Sequence, residues 1–184
     1  MRLCVFCGSQ KGIDPRFAQA AVDLGKILAQ RGIGIVYGGG RVGLMGILAD
    51  SALQSGGEVI GVIPQSLAER EVAHSGLTDL HVVGSMHDRK ALMSEFASGF
   101  IALPGGFGTL EEFCEVITWS QLGIHRKPCA VLNVAGYFDN LIAMFDYAVE
   151  QGFISLANRE IVIEAESIDE LVDRIVSLTE VGLR

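Results

Sequence analysis

Apolar residues recur along this chain in two alternating rhythms: short unbroken runs, and longer stretches with apolar side chains three and four apart. The first run, at 3–7, reads as a buried strand. Asp14-Pro15 then supplies an N-cap and a first-turn proline for a helix that carries Phe17, Ala21, Leu24 and Leu28 on one face and stops at Gly32. A second strand is predicted at 33–37, a glycine-rich loop at 38–43, a helix at 44–55 closed by Gly56-Gly57, and a third strand at 58–63. A longer connection over 64–78 leads to a strand at 80–83 and a helix capped by Ser85 that runs through Phe96. Strands at 100–103, 130–133 and 161–163 then alternate with helices at 109–122, 138–150 and 167–179.

Alternating elements with continuously apolar strands predict an α/β fold, a parallel sheet covered by helices on both faces. The 184 residues suit a single domain over 1–184, and no linker, repeat or low-complexity segment marks a boundary. In such a fold ligands sit outside the carboxyl ends of the strands, so residues just after strands carry the functional signal.

Charge and cysteine usage narrow the field. A net charge of −8 with no basic tract argues against a nucleic-acid partner. The chain's start, Met1-Arg2-Leu3-Cys4-Val5-Phe6, leads straight into glycine and does not read as a signal peptide. No apolar run approaches the roughly 18–20 residues of a membrane span, so no membrane partner and a cytoplasmic location are expected. Cys4, Cys7, Cys114 and Cys129 are too scattered for a disulfide framework. Cys4 and Cys7 form a C-x-x-C, but on a strand residues three apart point to opposite faces, so buried structural thiols are expected rather than a metal or redox pair.

Three strand-end loops stand out. The segment Tyr37-Gly38-Gly39-Gly40-Arg41-Val42-Gly43-Leu44-Met45-Gly46 contains a formal G-x-G-x-x-G. It follows the second strand rather than the first, and the next strand ends in Ile63-Pro64 with no acidic residue for a ribose, so a dinucleotide site is not expected. The glycines serve a tight turn or the close approach of a ligand. The second loop is Leu103-Pro104-Gly105-Gly106-Phe107-Gly108-Thr109-Leu110-Glu111-Glu112. Converging glycine amides before a helix start suit an anion. The lysine of a P-loop is missing, so a monophosphate fits better than a triphosphate with magnesium. Thr109 and Glu112 also fit a capping box, in which each satisfies backbone donors and Glu112 has no chemical role. The third loop is Ser85-Met86-His87-Asp88-Arg89-Lys90, where Ser85 is an N-cap and Asp88 suits the first turn. Arg89 and Lys90 oppose the helix dipole, which makes sense if they face an anionic substrate; on that ground removal of Arg89 is expected to leave the fold at least as stable.

Taken together, these motifs resemble the LONELY GUY (LOG) family. Pro104 to Glu112 matches its P-G-G-x-G-T-x-x-E, and Met86-His87-Asp88-Arg89-Lys90 matches its M-H-x-R-K, with Asp88 where many members carry glutamate. Cys7-Gly8-Ser9, the loop from Gly38 to Gly46, and Ile117-Thr118-Trp119-Ser120-Gln121-Leu122-Gly123 agree as well, so the resemblance runs nearly the whole length. It implies a Rossmann-like fold, a homodimer, no metal and no cofactor. The implied activity is cleavage of the N-glycosidic bond of cytokinin riboside 5′-monophosphates, and often AMP, to free base and ribose 5-phosphate. The family's older "lysine decarboxylase-like" label finds no support in the sequence, because nothing marks a pyridoxal-phosphate lysine.

Carried over motif by motif, the resemblance makes Arg89 and Glu112 the catalytic pair. It assigns substrate contacts to Gly106, Phe107, Gly108, Thr109, Leu110 and Glu111, and also to Glu71, Lys90 and Thr118. Glycosidic cleavage builds positive charge on the sugar and negative charge on the leaving base, so a carboxylate beside the anomeric carbon and a positioned 5′-phosphate supply what the reaction needs. The contrasting readings are a non-catalytic nucleotide carrier or sensor on the same scaffold, and a phosphatase or phosphotransferase.

Overall fold

A computed structural model of the chain describes residues 1–68 and 73–182. Its framework is a seven-stranded, all-parallel sheet: β1 (Arg2–Phe6), β2 (Gly34–Tyr37), β3 (Val59–Pro64), β4 (Asp79–Val83), β5 (Gly99–Ala102), β6 (Cys129–Leu132) and β7 (Val162–Ala165). The strand order is β4-β3-β2-β1-β5-β6-β7, with Cys4 opposite Val36 on one side and Phe100 on the other. Among the described residues eight α-helices surround it: α1 (Pro15–Gln30), α2 (Gly43–Gln54), α3 (Gln65–Ala68), α4 (Met86–Phe96), α5 (Phe107–Gln121), α6 (Asp139–Glu150), α7 (Leu156–Arg159) and α8 (Ile168–Gly182).

Strand alternation divides the interior into two layers. Leu3, Val5, Ile35, Tyr37 and Ile101 point to the face covered by α1, α2 and α8. Cys4, Phe6, Val36, Val62, Phe100 and Ala102 point to the other, where Met93 of α4 and Phe113 of α5 meet them. Cys7 joins the first layer and Cys4 the second, so the C-x-x-C pair straddles the sheet as two free, buried thiols. Burial pushes the Cys4 thiol up well above its ordinary range.

β1 and β5 lie side by side at the centre, but the chain leaves them in opposite directions, through α1 towards β2 and through α5 towards β6. The loops beyond their carboxyl ends therefore diverge and open a crevice, the usual ligand position of such sheets.

The differences from the sequence reading are local. α5 begins at Phe107, not Thr109, because its N-cap is Gly106, and a glycine carries no side-chain oxygen to announce a cap. α3 falls within the longer connection over 64–78, α7 precedes β7, and β7 extends beyond 161–163 to Ala165. These short helices have too few turns to show a period. Phe113, Ile117 and Trp119 of α5 pack into or against the second layer within the chain.

α1 and α2 touch at Gly25, where an added Cβ would lie 2.7 Å from the Leu48 carbonyl oxygen and 3.1 Å from the Ala52 nitrogen. Gly25→Ala is expected to destabilise by about 1–3 kcal/mol by forcing the helices apart, outweighing alanine's advantage of about 1 kcal/mol in helix propensity. A urea midpoint equal to or above the parent's would contradict this contact.

Candidate active site

The crevice is built by the loops that follow β1, β2 and β5. The Gly8 amide donates to the Pro104 carbonyl at 3.0 Å and the Leu44 amide to the Gly8 carbonyl at 2.9 Å, so the first loop ties the other two together. A side chain at Gly105 would collide with Thr109 Oγ1, which fixes how closely the β5 loop folds over the start of α5. Tyr137, after β6, steadies the same turn by donating its hydroxyl to the Gly105 carbonyl.

α5 starts without a side-chain cap, and its first backbone bond back to the loop runs from the Leu110 amide to the Gly106 carbonyl. The amides of Phe107, Gly108 and Thr109 precede that bond, at the positive end of the helix dipole. α2 likewise has no side-chain cap, its N-cap being Val42. A cavity of about 190 Å³ lies here, bounded by Cys7, Gly8, Ser9 and Met45 on one side and by 106–109 on the other, with Arg89 and Glu112 completing its wall.

Arg89 and Glu112 are both buried, and Arg89 Nη1 lies 3.2 Å from Glu112 Oε1. The rest of the guanidinium is held by strand ends: Nε donates to the Val62 carbonyl at 3.1 Å and Nη2 to the Gly38 carbonyl at 3.4 Å. Gly38 must be glycine for this approach, because a Cβ there would occupy the position of Arg89 Nη2. Two expectations are corrected. Thr109 is the third helical residue rather than a cap, so no capping box forms and the Glu112 carboxylate is turned to Arg89. Arg89 is not a cation whose removal would relieve the α4 dipole at no cost but a buried one, matched by a carboxylate and two carbonyls.

The remaining candidates are dispersed. Phe107 stands at the rim, 92% exposed. Leu110 packs against the second core layer. Lys90 points to α5, with Nζ 2.6 Å from Glu111 Oε1 and 3.0 Å from Glu115 Oε1, and is not part of the cavity wall. Thr118 is exposed and donates to the Cys114 carbonyl at 2.8 Å; at about 1.5 Å per residue it lies roughly 16 Å along the helix from Phe107. Glu71 falls outside the described residues.

The sequence reading gave no role to Cys7, Gly8, Ser9 or Met45, although all four line the cavity. The signal available was position, since Cys7, Gly8 and Ser9 directly follow the central strand. Burial, and secondarily the Glu112 carboxylate, push the Cys7 thiol far above its ordinary range. A larger hollow of about 480 Å³ lies at the opposite end of the sheet beside Arg2, Gly34 and Glu58. Its charges already satisfy each other, with Arg2 Nε 2.7 Å from Glu58 Oε2, so convergent chemistry rather than size marks the site. Among the described residues no group of His, Cys, Asp and Glu could hold a metal ion, and no helix is long and apolar enough to cross a membrane.

An uncapped helix N-terminus beside a buried Arg–Glu pair is an arrangement that suits an anion, and comparison with known proteins gives the family. Residues 45–175 match the family described as "Possible lysine decarboxylase". Cytokinin riboside 5′-monophosphate phosphoribohydrolase LOG of Oryza sativa subsp. japonica is 51% identical over 99% of this chain and 76% of its own length. LOG3 of Arabidopsis thaliana, of the same description, is 50% identical over 95% of this chain and 81% of its own. The chain belongs to the LOG family. Among solved structures, the molybdenum cofactor binding protein of Rippkaea orientalis superposes with a TM-score of 0.71 over 96% of both chains. At 22% identity that likeness speaks for the fold alone.

Breaking the buried pair from the cationic side strands a carboxylate and two carbonyls. Arg89→Met is therefore expected to lose about 3–5 kcal/mol of stability, and Glu112→Gln, which keeps an acceptor towards Arg89, distinctly less. Equilibrium urea denaturation of both variants measures this; an unchanged midpoint for Arg89→Met would restore the expectation that the fold is at least as stable without Arg89.

Proposed function

We propose that the protein hydrolyses the N-glycosidic bond of nucleoside 5′-monophosphates, cytokinin riboside 5′-monophosphates and AMP among them, releasing free base and ribose 5-phosphate. The observation that carries this reading is that the amides opening α5 and the buried Arg89–Glu112 pair border one cavity. The relatives named for this activity support it at about half identity over nearly the full chain.

The 5′-phosphate binds at the amides of Phe107, Gly108 and Thr109, where the α5 dipole favours an anion. The ribose then lies along α5 towards Glu112, one and a half turns further on. As the C1′–N bond lengthens, the carboxylate stabilises the cationic sugar and orients the water that attacks C1′. The water oxygen ends on C1′, and one proton passes to the departing base nitrogen. Arg89, engaged on three sides, acts by fixing the Glu112 carboxylate and by countering negative charge on the leaving base. A cavity of about 190 Å³ is smaller than the roughly 300–1,000 Å³ of pockets that enclose a whole ligand. It suits a sugar phosphate, with the base lying over the rim near Phe107.

The proposal includes a homodimer. The exposed face of α5 runs from Phe107 through Glu111, Cys114 and Thr118 to Gln121, with Leu122 and Ile124 exposed beyond it. A second copy laid antiparallel on this stripe covers the exposed Phe107 and brings its own Thr118 towards the rim, which no single chain does. Light scattering at micromolar concentration is expected to give twice the chain mass; a monomer would exclude the arrangement.

Incubated with AMP or its N6-isopentenyl derivative without added metal, the protein is expected to release base and ribose 5-phosphate. Adenosine should react with a lower kcat as well as a higher KM, because the 5′-phosphate supplies positioning. Glu112→Gln is expected to lose ~10²-fold or more in turnover while still binding nucleotide. Chromatography of the products decides: adenosine in place of adenine makes the protein a phosphatase, and intact but bound nucleotide makes it a carrier.

A further inference from the structure

Lys90 follows a catalytic candidate in sequence, yet its amine is turned away from the cavity. α4 and α5 each rest mainly on the sheet, α4 on β3, β1 and β2 and α5 on β5, β1 and β6. Side-chain ion pairs link the two helices in consecutive rungs. Arg89 meets Glu112 at 3.2 Å, and the next residue of α4, Lys90, meets the preceding residue of α5, Glu111, at 2.6 Å. Glu115, one helical turn beyond Glu111, takes the same amine at 3.0 Å. The Lys90 side chain is only 11% exposed, so its stem is packed rather than free in solvent. Burial works against its charge, but the two carboxylates outweigh that and hold the amine above its ordinary range. An ammonium matched by two carboxylates has little field left to offer a phosphate.

We infer that Lys90 is a positioning residue, a clamp between α4 and α5 that sets the distance and angle at which Arg89 meets Glu112. The inference rests on the hydrolase reading of the cavity. An unclamped α4 can shift along the sheet, and displacements of about 1 Å in a reacting geometry cost up to ~10²-fold in rate. The role is therefore read in kcat and not in nucleotide affinity.

The test compares Lys90→Met, Lys90→Arg and the double variant Glu111→Gln/Glu115→Gln with the parent, on AMP and on adenosine. Lys90→Met is expected to lose ~10- to 100-fold in kcat with KM for AMP nearly unchanged and the preference for AMP over adenosine intact. Lys90→Arg, which can still bridge two carboxylates, should recover most of the rate. The Glu111→Gln/Glu115→Gln variant should reproduce the loss, and adding Lys90→Met to it should lower the rate little further. A raised KM for AMP with a diminished preference for AMP over adenosine would overturn the inference and make Lys90 a phosphate ligand. If the parent itself releases no base, the hydrolase reading fails separately. The clamp is then judged by urea denaturation, where Lys90→Met and Glu112→Gln, which share no direct contact, are expected to be non-additive; strict additivity would sink it.

Discussion

The burial of one guanidinium governs the architecture around the site. Arg89 can sit inside the protein only because Glu112, the Val62 carbonyl and the Gly38 carbonyl share its donors. Each partner comes from a different element, so satisfying this one charge fixes α4, α5, the end of β3 and the turn after β2 relative to each other. A buried ion pair is no general source of stability, since its desolvation cost rivals its attraction. What it does is couple these elements, because loss of any one of its partners would leave the buried guanidinium less well matched. The absence of a side chain at Gly38 belongs to the same constraint, because that is the space the guanidinium uses.

Around this fixed point the cavity combines two kinds of polarity. The opening amides of α5 offer a fixed partial positive charge with no side chain covering it, whereas Glu112 presents a carboxylate a turn and a half further along the same helix. The arrangement is complementary to a ligand with an anionic end and an electron-poor reacting carbon. A nucleoside 5′-monophosphate has this polarity, and an N-glycosidic bond is the one whose cleavage most needs a carboxylate beside a forming sugar cation. The family description "Possible lysine decarboxylase" finds no counterpart in the site: the described residues lining this cavity include no lysine, and the nearby Lys90 amine is taken up by two carboxylates.

Much of the site was legible before folding was considered. Glycines followed by a helix start after an apolar run state a local fact, that backbone amides converge, and this depends on nothing distant. The capping-box signature at Thr109 misled for a related reason: the true cap, Gly106, has no side chain to read. The apparent dipole conflict at Arg89 misled because its partners lie on other elements, twenty or more residues away. Gly8, Ser9 and Met45 were given no role because, as types, they announce no chemistry, and Cys7 was read only as a structural thiol; their place beyond the central strands is what brings them to the cavity.

By itself the sequence determined the quantities that local physics controls. Hydrophobic periodicity settled the alternation of strands and helices and hence a parallel sheet, and the glycine loops with their adjoining motifs settled the family. Tertiary structure decided which charge meets which. Arg89 and Lys90 are neighbours on α4, and Glu111, Glu112 and Glu115 lie close together on α5, so composition and spacing allow several pairings. The order β4-β3-β2-β1-β5-β6-β7 determines how those helices lie beside each other. Their relative rotation then sends Arg89 inward to Glu112 and Lys90 outward to Glu111 and Glu115. Such pairings are set by the geometry of elements distant in the chain, and no local pattern encodes them.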